Sequence, residues 1–377
     1  MHRTAIACTT VATLGLLAAA IALGPLNPPG GPVSPSYKTL AEIEPRIAIN
    51  AANTPGDANS SFRITQPGSY YLTANLQGVA GKDGIRIDVS GVTIDLCGFH
   101  VVGNGASGAL VGIKVVGSND RCISVLNGTV RDWQSDGIDL SLNNTGGRIE
   151  GVHAQNNGGT GISAGGSMAV VNCSAINNGA NGIRSAQHSS LVNCATSSNG
   201  SNGFSLGQNV KLTRCSTSFN NGAGFSADLG CVLTDCASKS NDTYGYDLSD
   251  SCTISGCVAI FNTLDGIRCD SACSIRNNTL DRSGYLTGTG AGIRTSGSMN
   301  RIEGNNCTRA DFGLYVTGPG NIIFGNTCST NTQNFVISAG NVHGVIADRT
   351  APGGAAIVGD SGAATAGTTD SHANFAY

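Results

Sequence analysis

The sequence is poor in charge. Asp, Glu, Lys and Arg make up 12% of its 377 residues, about half the share of an ordinary soluble domain. Its 21 Lys and Arg against 24 Asp and Glu leave a formal net charge of −3, with no basic run. Nucleic-acid binding is excluded on that ground, because it relies on clustered cations to neutralise phosphates. Proline is scarce at 10 residues and Gly does not recur at every third position, which excludes collagen. No Cys-x-x-Cys occurs, which speaks against a zinc site. Scarce charge beside abundant Gly would suit a disordered chain, but 40% of the residues are hydrophobic, and disordered segments are charge-rich and apolar-poor.

What is abundant is Gly, with 54 residues, and Cys, with 14. His2-Arg3 precede an almost uncharged apolar run from Thr4 to Leu23, then Gly24-Pro25 and a Pro/Gly-rich stretch to Pro35. Residues 1–24 read as a secretory leader or a single N-terminal anchor, with Ala18-Ala19-Ala20 as a small-residue cleavage site. Either reading takes the bulk of the chain out of the cytoplasm, to a secreted, periplasmic or cell-surface location. Cys8 lies in this leader, and the other 13 cysteines are an odd number for an exported chain.

The spacing of those cysteines shows a repeat. Cys173, Cys194, Cys215, Cys236 and Cys257 are 21 residues apart, as are Cys231, Cys252 and Cys273, and Cys307 and Cys328. Gly followed by a large apolar residue recurs in the same period, from Gly84-Ile85 through Gly112-Ile113, Gly137-Ile138, Gly161-Ile162 and Gly203-Phe204 to Gly313-Leu314, and Asn334-Phe335 keeps the register. Successive steps are 28, 25, 24, 21, 21, 21, 21, 21, 26, 21 and 21 residues. A second apolar residue stands two places on in most units, such as Ile87, Val115 and Leu206, the alternation of a strand with one buried face. Twenty-one residues are too few for a helical-hairpin repeat, and the Gly, Asn, Ser and Thr that fill each unit are poor helix formers.

These features predict an all-β fold, a single-stranded parallel β-helix of about 21 residues per coil and roughly 11–12 coils, each about 4.8 Å above the last. Ile149, Val170, Leu191, Leu212, Leu233 and Ile254 form a second inward column; Asn157, Asn178, Asn199, Asn220, Asn241 and Asn262 form a third. Asn suits a left-handed bend, and its amide can bond the next amide in the stack. The cysteines read as two interior stacks of free thiols, since side chains stacked at one-coil spacing sit beyond disulfide reach. The expected organisation is a leader over 1–24, a linker and N-terminal cap over 25–60 with a short helix from Thr39 to Glu44, the β-helix over 61–344, and a C-terminal cap or tail over 345–377.

Tyr70-Tyr71-Leu72, the stretch from Val92 to Phe99, Asn127-Gly128-Thr129-Val130 and the recurring Asn…Gly-Ile units resemble exported right-handed parallel β-helix repeat proteins of the pectin-lyase-like superfamily. The resemblance spans roughly residues 61–340. It implies the fold and says little about activity, because that superfamily holds lyases, hydrolases, epimerases and adhesins. Tyr244-Gly245-Tyr246-Asp247-Leu248-Ser249-Asp250 resembles the Tyr-Gly-aromatic-Asp-Pro-His-Asp signature of alginate epimerases, with Leu248 and Ser249 in place of the Pro-His. The Asn-Thr-Asp, Asp-Asp and Gly-His-Gly series of polygalacturonases and the Arg-rich stretch of pectate lyases are absent. Gly158-Gly159-Thr160-Gly161 lacks the following Asp of calcium-binding nonapeptide repeats.

The residue between the two inward ones should face solvent. Down the coils it reads Arg86, Lys114, Asp139, Ser163, Arg184, Ser205, Ser226, Asp247, Arg268, Arg294 and Tyr315, and two places further on stand Asp88, Asp228 and Asp270. Stacking would gather Asp228, Asp247, Arg268, Asp270 and Arg294 into one patch on a nearly uncharged rod. Asp247, Asp228 and Asp270 are the candidate acids and bases of glycoside cleavage. Arg268 completes that catalytic set, and Arg294, with Tyr244, Tyr285 and Tyr315, would bind the sugar chain through charge and stacking. Calcium is the one cofactor these residues admit, between Asp228, Asp247 and Asp270. Cross-strand ion pairs would produce the same pattern with no ligand at all. His100, His153, His188 and His343 are scattered without acid partners, and Trp133 reads as a stacking platform or as a bend residue shielding a coil.

Two functions remain open. The first is a protein that binds extracellular or cell-wall polysaccharide along the Asp/Arg face, acting as a polysaccharide lyase or glycoside hydrolase if it is an enzyme. The second is a non-catalytic structural or adhesive surface rod.

Overall fold

A computed structural model describes residues 43–105, 110–117, 121–142, 145–284, 288–348 and 369–377. The leader, most of the expected Thr39–Glu44 helix and Tyr285 lie outside these residues. Residues Arg46–Tyr377 form one unit, and every named element in it is a strand. Among the described residues no helix is long and apolar enough to cross a membrane.

One repeat shows how 21 residues make a coil. Ile162–Ala164, Ala169–Val171 and Ser174–Ile176 are three-residue strands separated by bends. Each pairs in parallel with its equivalent 21 residues on, so Ile162 lies against Ile183, Val170 against Leu191 and Ala175 against Thr196. The first strand of every coil belongs to a 13-stranded parallel sheet, and the other two belong to a 26-stranded one. The smaller sheet has one rung more than the twelve Gly-apolar units of the sequence, because Ser60–Ile64 pairs ahead of Asp83–Ile87. In the smaller sheet the flanking residues point inward and the middle one outward, as at Phe225, Ser226 and Ala227. In the larger sheet the middle residue is buried, as at Leu212. The core is the space these columns enclose, and includes the stacked rings of Phe204, Phe225 and Tyr246, 4.9 Å apart.

The bends carry a common device. Each is made by one residue in the left-handed region followed by one that points inward. In the column expected from Asn spacing, the left-handed residues are Asn156, Asn177, Ser198, Phe219, Ser240 and Phe261, at φ 52–59°. The stacked Asn is thus the residue after the left-handed one, which corrects the expectation that its own backbone makes the bend. Its amide does bond along the stack: the backbone N–H and Nδ2 of Asn199 donate to Oδ1 of Asn220 at 3.0 and 2.9 Å, and the same two groups of Asn220 donate to Asn241. The ladder starts at Trp133, whose N–H donates to Asn157 Oδ1 at 3.2 Å and whose ring lies in the core, 3% exposed. Trp133 is therefore no surface stacking platform.

The thiols occupy the other two bends. Cys173 to Cys257 hand over to Asn278, Asn305 and Asn326, the N–H of Cys257 donating to Asn278 Oδ1 at 2.9 Å. Cys231, Cys252 and Cys273 hand over to Asn300 and Asn321. A thiol fills the same place because it is small and buried, and it donates to a carbonyl oxygen of the coil before, as Cys194 does to Val170 and Cys215 to Leu191, while Cys257 Sγ also accepts the Cys236 N–H at 3.3 Å. Cys307 and Cys328 form a third stack, in a strand column above Leu280. All thirteen described cysteines are free, eleven of them buried, with only Cys97 and Cys122 exposed. The neighbouring thiol and burial push Cys194, Cys215 and Cys236 up to about 12, which withholds the reactive thiolate. Asn374, close to the C-terminus, supplies the last amide of the second ladder, accepting from Asn326, and its strand Asn374–Ala376 lies between Thr327–Ser329 and Ile346–Asp348.

The Gly before each inward strand answers to space rather than to backbone angle. A Cβ on Gly161 would sit 2.7 Å from Asn178 Nδ2 and 2.8 Å from the Gly182 carbonyl oxygen, and one on Gly182 meets Asn199 and Gly203 alike. The ladder amides thus fix the glycines.

Two outcomes test this account. Of the thirteen cysteines after Cys8, two should react with a thiol reagent in the native protein and all thirteen in guanidinium; a shortfall of two or more in guanidinium would reveal disulfides. Asn220→Ala should cost about 3 kcal/mol in urea unfolding, since it orphans buried donors on Asn199, whereas the exposed Ser190→Ala should stay within about 0.5 kcal/mol.

Candidate functional site

The outward column follows from the alternation, and the register places it as expected. Ser226, Asp247, Arg268, Arg294 and Tyr315 are successive partners across five rungs of the 13-stranded sheet. Rungs about 4.8 Å apart let a guanidinium reach the carboxylate one coil back. Arg268 meets Asp247 in bidentate fashion, Nε to Oδ1 at 2.8 Å and Nη2 to Oδ2 at 3.0 Å. Its Nη1 donates to the Tyr244 hydroxyl at 3.1 Å, and the guanidinium lies 4.4 Å from that ring's centroid. Arg294 lies 4.5 Å from the Tyr315 centroid.

Arg294 does not pair with any acid of the expected patch. Its Nε donates to both oxygens of Asp265, at 3.0 and 2.9 Å, and its Nη2 to the Thr289 carbonyl oxygen. Asp265 is 3% exposed and also accepts the Ala291 N–H at 2.7 Å. Burial pushes its carboxyl above the usual range, while Arg294 and the Ala291 N–H pull it back. Sequence reasoning missed this residue, although a signal was present. Asp-Gly-Ile occurs three times, at Asp83, Asp136 and Asp265, each time in a coil longer than 21 residues. In all three the carboxylate accepts an N–H of the next coil, from Val111, Thr160 and Ala291. The same bond crosses regular coils with a neutral acceptor, from Asn202 to Asn181 and from Ala223 to Asn202, so in the three longer coils an Asp takes the place of Asn.

The insertion at Asp265 shapes the site. Gly266 to Gly292 is 26 residues, the one departure from 21 between Gly161 and Gly313. Gly284 and Gly290 close its base, for a Cβ on Gly284 would come within 2.2 Å of the Gly290 Cα. Beside it opens a cleft of 450 Å³ lined by Tyr244, Asp265, Arg268, Thr289, Arg294 and Ser296, among others.

Asp228 and Asp270 stand apart from this cleft. Both are exposed at the end of their strands, and neither forms an ion pair among the described residues. Two rungs separate them, roughly 10 Å, so they do not face each other as a close carboxylate pair. Among the described residues no group of three His, Cys, Asp or Glu could hold a metal ion, and the three carboxylates expected to enclose calcium are not gathered. In the epimerase-like stretch, Tyr246 is wholly buried, its hydroxyl donating to the Cys236 and Val258 carbonyl oxygens, while Asp247 is committed to Arg268.

The two ion pairs should differ in worth. Asp265→Ala leaves a partly buried guanidinium and the Ala291 N–H without partners and should cost about 3 kcal/mol. Asp247→Ala opens a pair whose Arg268 side chain is 43% exposed and should cost under about 1 kcal/mol. Urea denaturation of the two variants checks the order; equal costs would contradict it.

Known proteins share the architecture. Residues 165–286 match the family profile described as the right handed beta helix region. The Dettilon tailspike protein superposes with a TM-score of 0.52 at 16% identity, over 69% of this chain and 60% of the tailspike chain. The A-module of the mannuronan C-5 epimerase AlgE4 of Azotobacter vinelandii gives a TM-score of 0.50 at 15% identity, over 79% and 88%. The chain thus spans about 60% of the tailspike's length. No curated protein matches by sequence. The fold is the right-handed parallel β-helix.

Proposed function

We propose that this chain is an exported β-helix protein that binds an extracellular or cell-wall polysaccharide in the cleft beside Arg268 and Arg294. The observation that carries the reading is the coincidence of three features at one place. The only lengthened coil in the regular run, the cleft and the two arginine–carboxylate pairs lie together on one face. Loops that interrupt a rigid scaffold are where binding residues concentrate, and fixed guanidinium and carboxylate groups are ready partners for sugar hydroxyls. Proteins that share the fold include one named for its action on mannuronan, and the apolar run from Thr4 to Leu23 supports export.

Binding is favoured over cleavage. A glycosidase needs one carboxyl group free to protonate the leaving oxygen and a second free to act as base or nucleophile. Asp265 in the cleft and Asp247 beside it are both held by arginines, and Asp228 and Asp270 do not line the cleft. In this reading Arg268 binds, Asp247 supports it, and Asp228 and Asp270, expected with them as catalytic groups, take no part in the cleft.

A polysaccharide screen of the full chain tests this reading. Arg268→Ala should weaken binding at least tenfold, while Arg309→Ala, which removes an equally exposed pair with Asp281 away from the cleft, should leave it unchanged. Equal affinity of both variants and the parent would favour the adhesive-rod reading.

A further inference from the structure

The cleft's ligand class follows from how its charges are spent. Recognition of an acidic sugar needs a cation whose charge is not already matched, as a carboxylate gains little from a guanidinium that another carboxylate holds in bidentate geometry. Arg268 gives Nε and Nη2 to Asp247 and Nη1 to Tyr244. Arg294 gives Nε to Asp265 and Nη2 to Thr289. Along this face from Phe225 to Thr295, these two guanidiniums stand among five carboxylates, those of Asp228, Asp247, Asp250, Asp265 and Asp270. The local field is therefore negative, and it repels a polyanion approaching along the sheet.

The same groups suit hydroxyls. The N–H bonds of Arg268 and Arg294 not used by the protein are donors, and the Ser296 hydroxyl is both donor and acceptor. Leu264 adds an apolar wall for a sugar's C–H face. One face of each tyrosine ring is taken, by Arg268 over Tyr244 and by Arg294 over Tyr315.

We propose that the cleft formed by Tyr244, Arg268, Arg294 and Ser296 selects neutral, hydroxyl-rich glycans and rejects uronate chains. This rests on the reading that the cleft binds polysaccharide. It assigns Asp247 and Asp265 the further task of excluding acidic sugars by neutralising the arginines that would otherwise attract them.

Calorimetry of the full chain tests the proposal with neutral oligosaccharides (β-glucan, mannan, galactan, xylan) and uronate oligosaccharides (mannuronate, guluronate, galacturonate), each at 20 and 500 mM NaCl. Binding of at least one neutral glycan, with Kd changed less than twofold by salt and no uronate bound, is the expected result. Uronate binding that collapses at high salt would overturn the selectivity while leaving the polysaccharide reading intact. No binding in either panel would overturn both. Asp247→Asn, checked for an unchanged circular dichroism spectrum, frees the charge of Arg268 and should acquire uronate binding at 20 mM NaCl at least fivefold above the parent. A variant that keeps its fold and gains none would refute the role given to Asp247.

Discussion

The structure depends on one recurring contact, in which an inward Asn side chain at a bend accepts the backbone N–H of the coil before it. Parallel strands of three residues have little pairing of their own, and a solenoid is held by its nearest-neighbour interfaces. The bend ladder makes those interfaces continuous. The Asn column does this with two bonds per rung, as Asn199 shows toward Asn220, and the amide must be buried to stay in line. Burial makes the bond obligatory, because an orphaned amide in the core costs more than the bond returns. The 21-residue period, the glycine at the head of each inward strand and the left-handed residue at each bend all serve to keep this acceptor in place.

The same constraint explains where the chain departs from regularity. A thiol replaces the amide over several coils because it is small and buried, and the column returns to Asn at Asn278 and Asn300. The amide acceptor survives even the longer coil, where the N–H groups of Cys273 and Asn278 donate to Asn300 and Asn305, 27 residues on, and the Asp of an Asp-Gly-Ile triplet adds a further bond across it. Asp265 brings a buried negative charge, that charge holds Arg294, and Arg294 borders the cleft. The functional face thus includes a scaffold contact, which is why Arg294 arrives already paired.

Much of the fold was legible in the sequence because stacking repeats every contact at one spacing. The Gly-apolar-x-apolar units gave the inward and outward positions of the 13-stranded sheet, and the outward column from Arg86 to Tyr315 stacks in the order read. The Asn column was legible in identity but not in backbone role, since the bend angle falls on residues as different as Phe219, Ser240 and Asn177. Fixed periods also hid what breaks them. Asp265 lies one residue before the Gly-Ile unit, and its partner Arg294 stands 29 residues on, across the lengthened coil, so a fixed spacing of 21 does not pair them. Spacing placed Asp228 and Asp270 on the right coils, but being on neighbouring coils does not decide which charges meet. Arg268 turns to Asp247 and leaves both of the others in solvent.

The central claim is that the cleft beside the lengthened coil is the ligand site and the rest of the rod its support. Hydrogen–deuterium exchange of the full chain, with and without a saturating neutral oligosaccharide identified by binding, tests it most directly. Protection confined to peptides covering residues 244–247, 264–268 and 289–296 is the predicted result. Protection centred on another face of the coils, with these segments unchanged, would contradict the account.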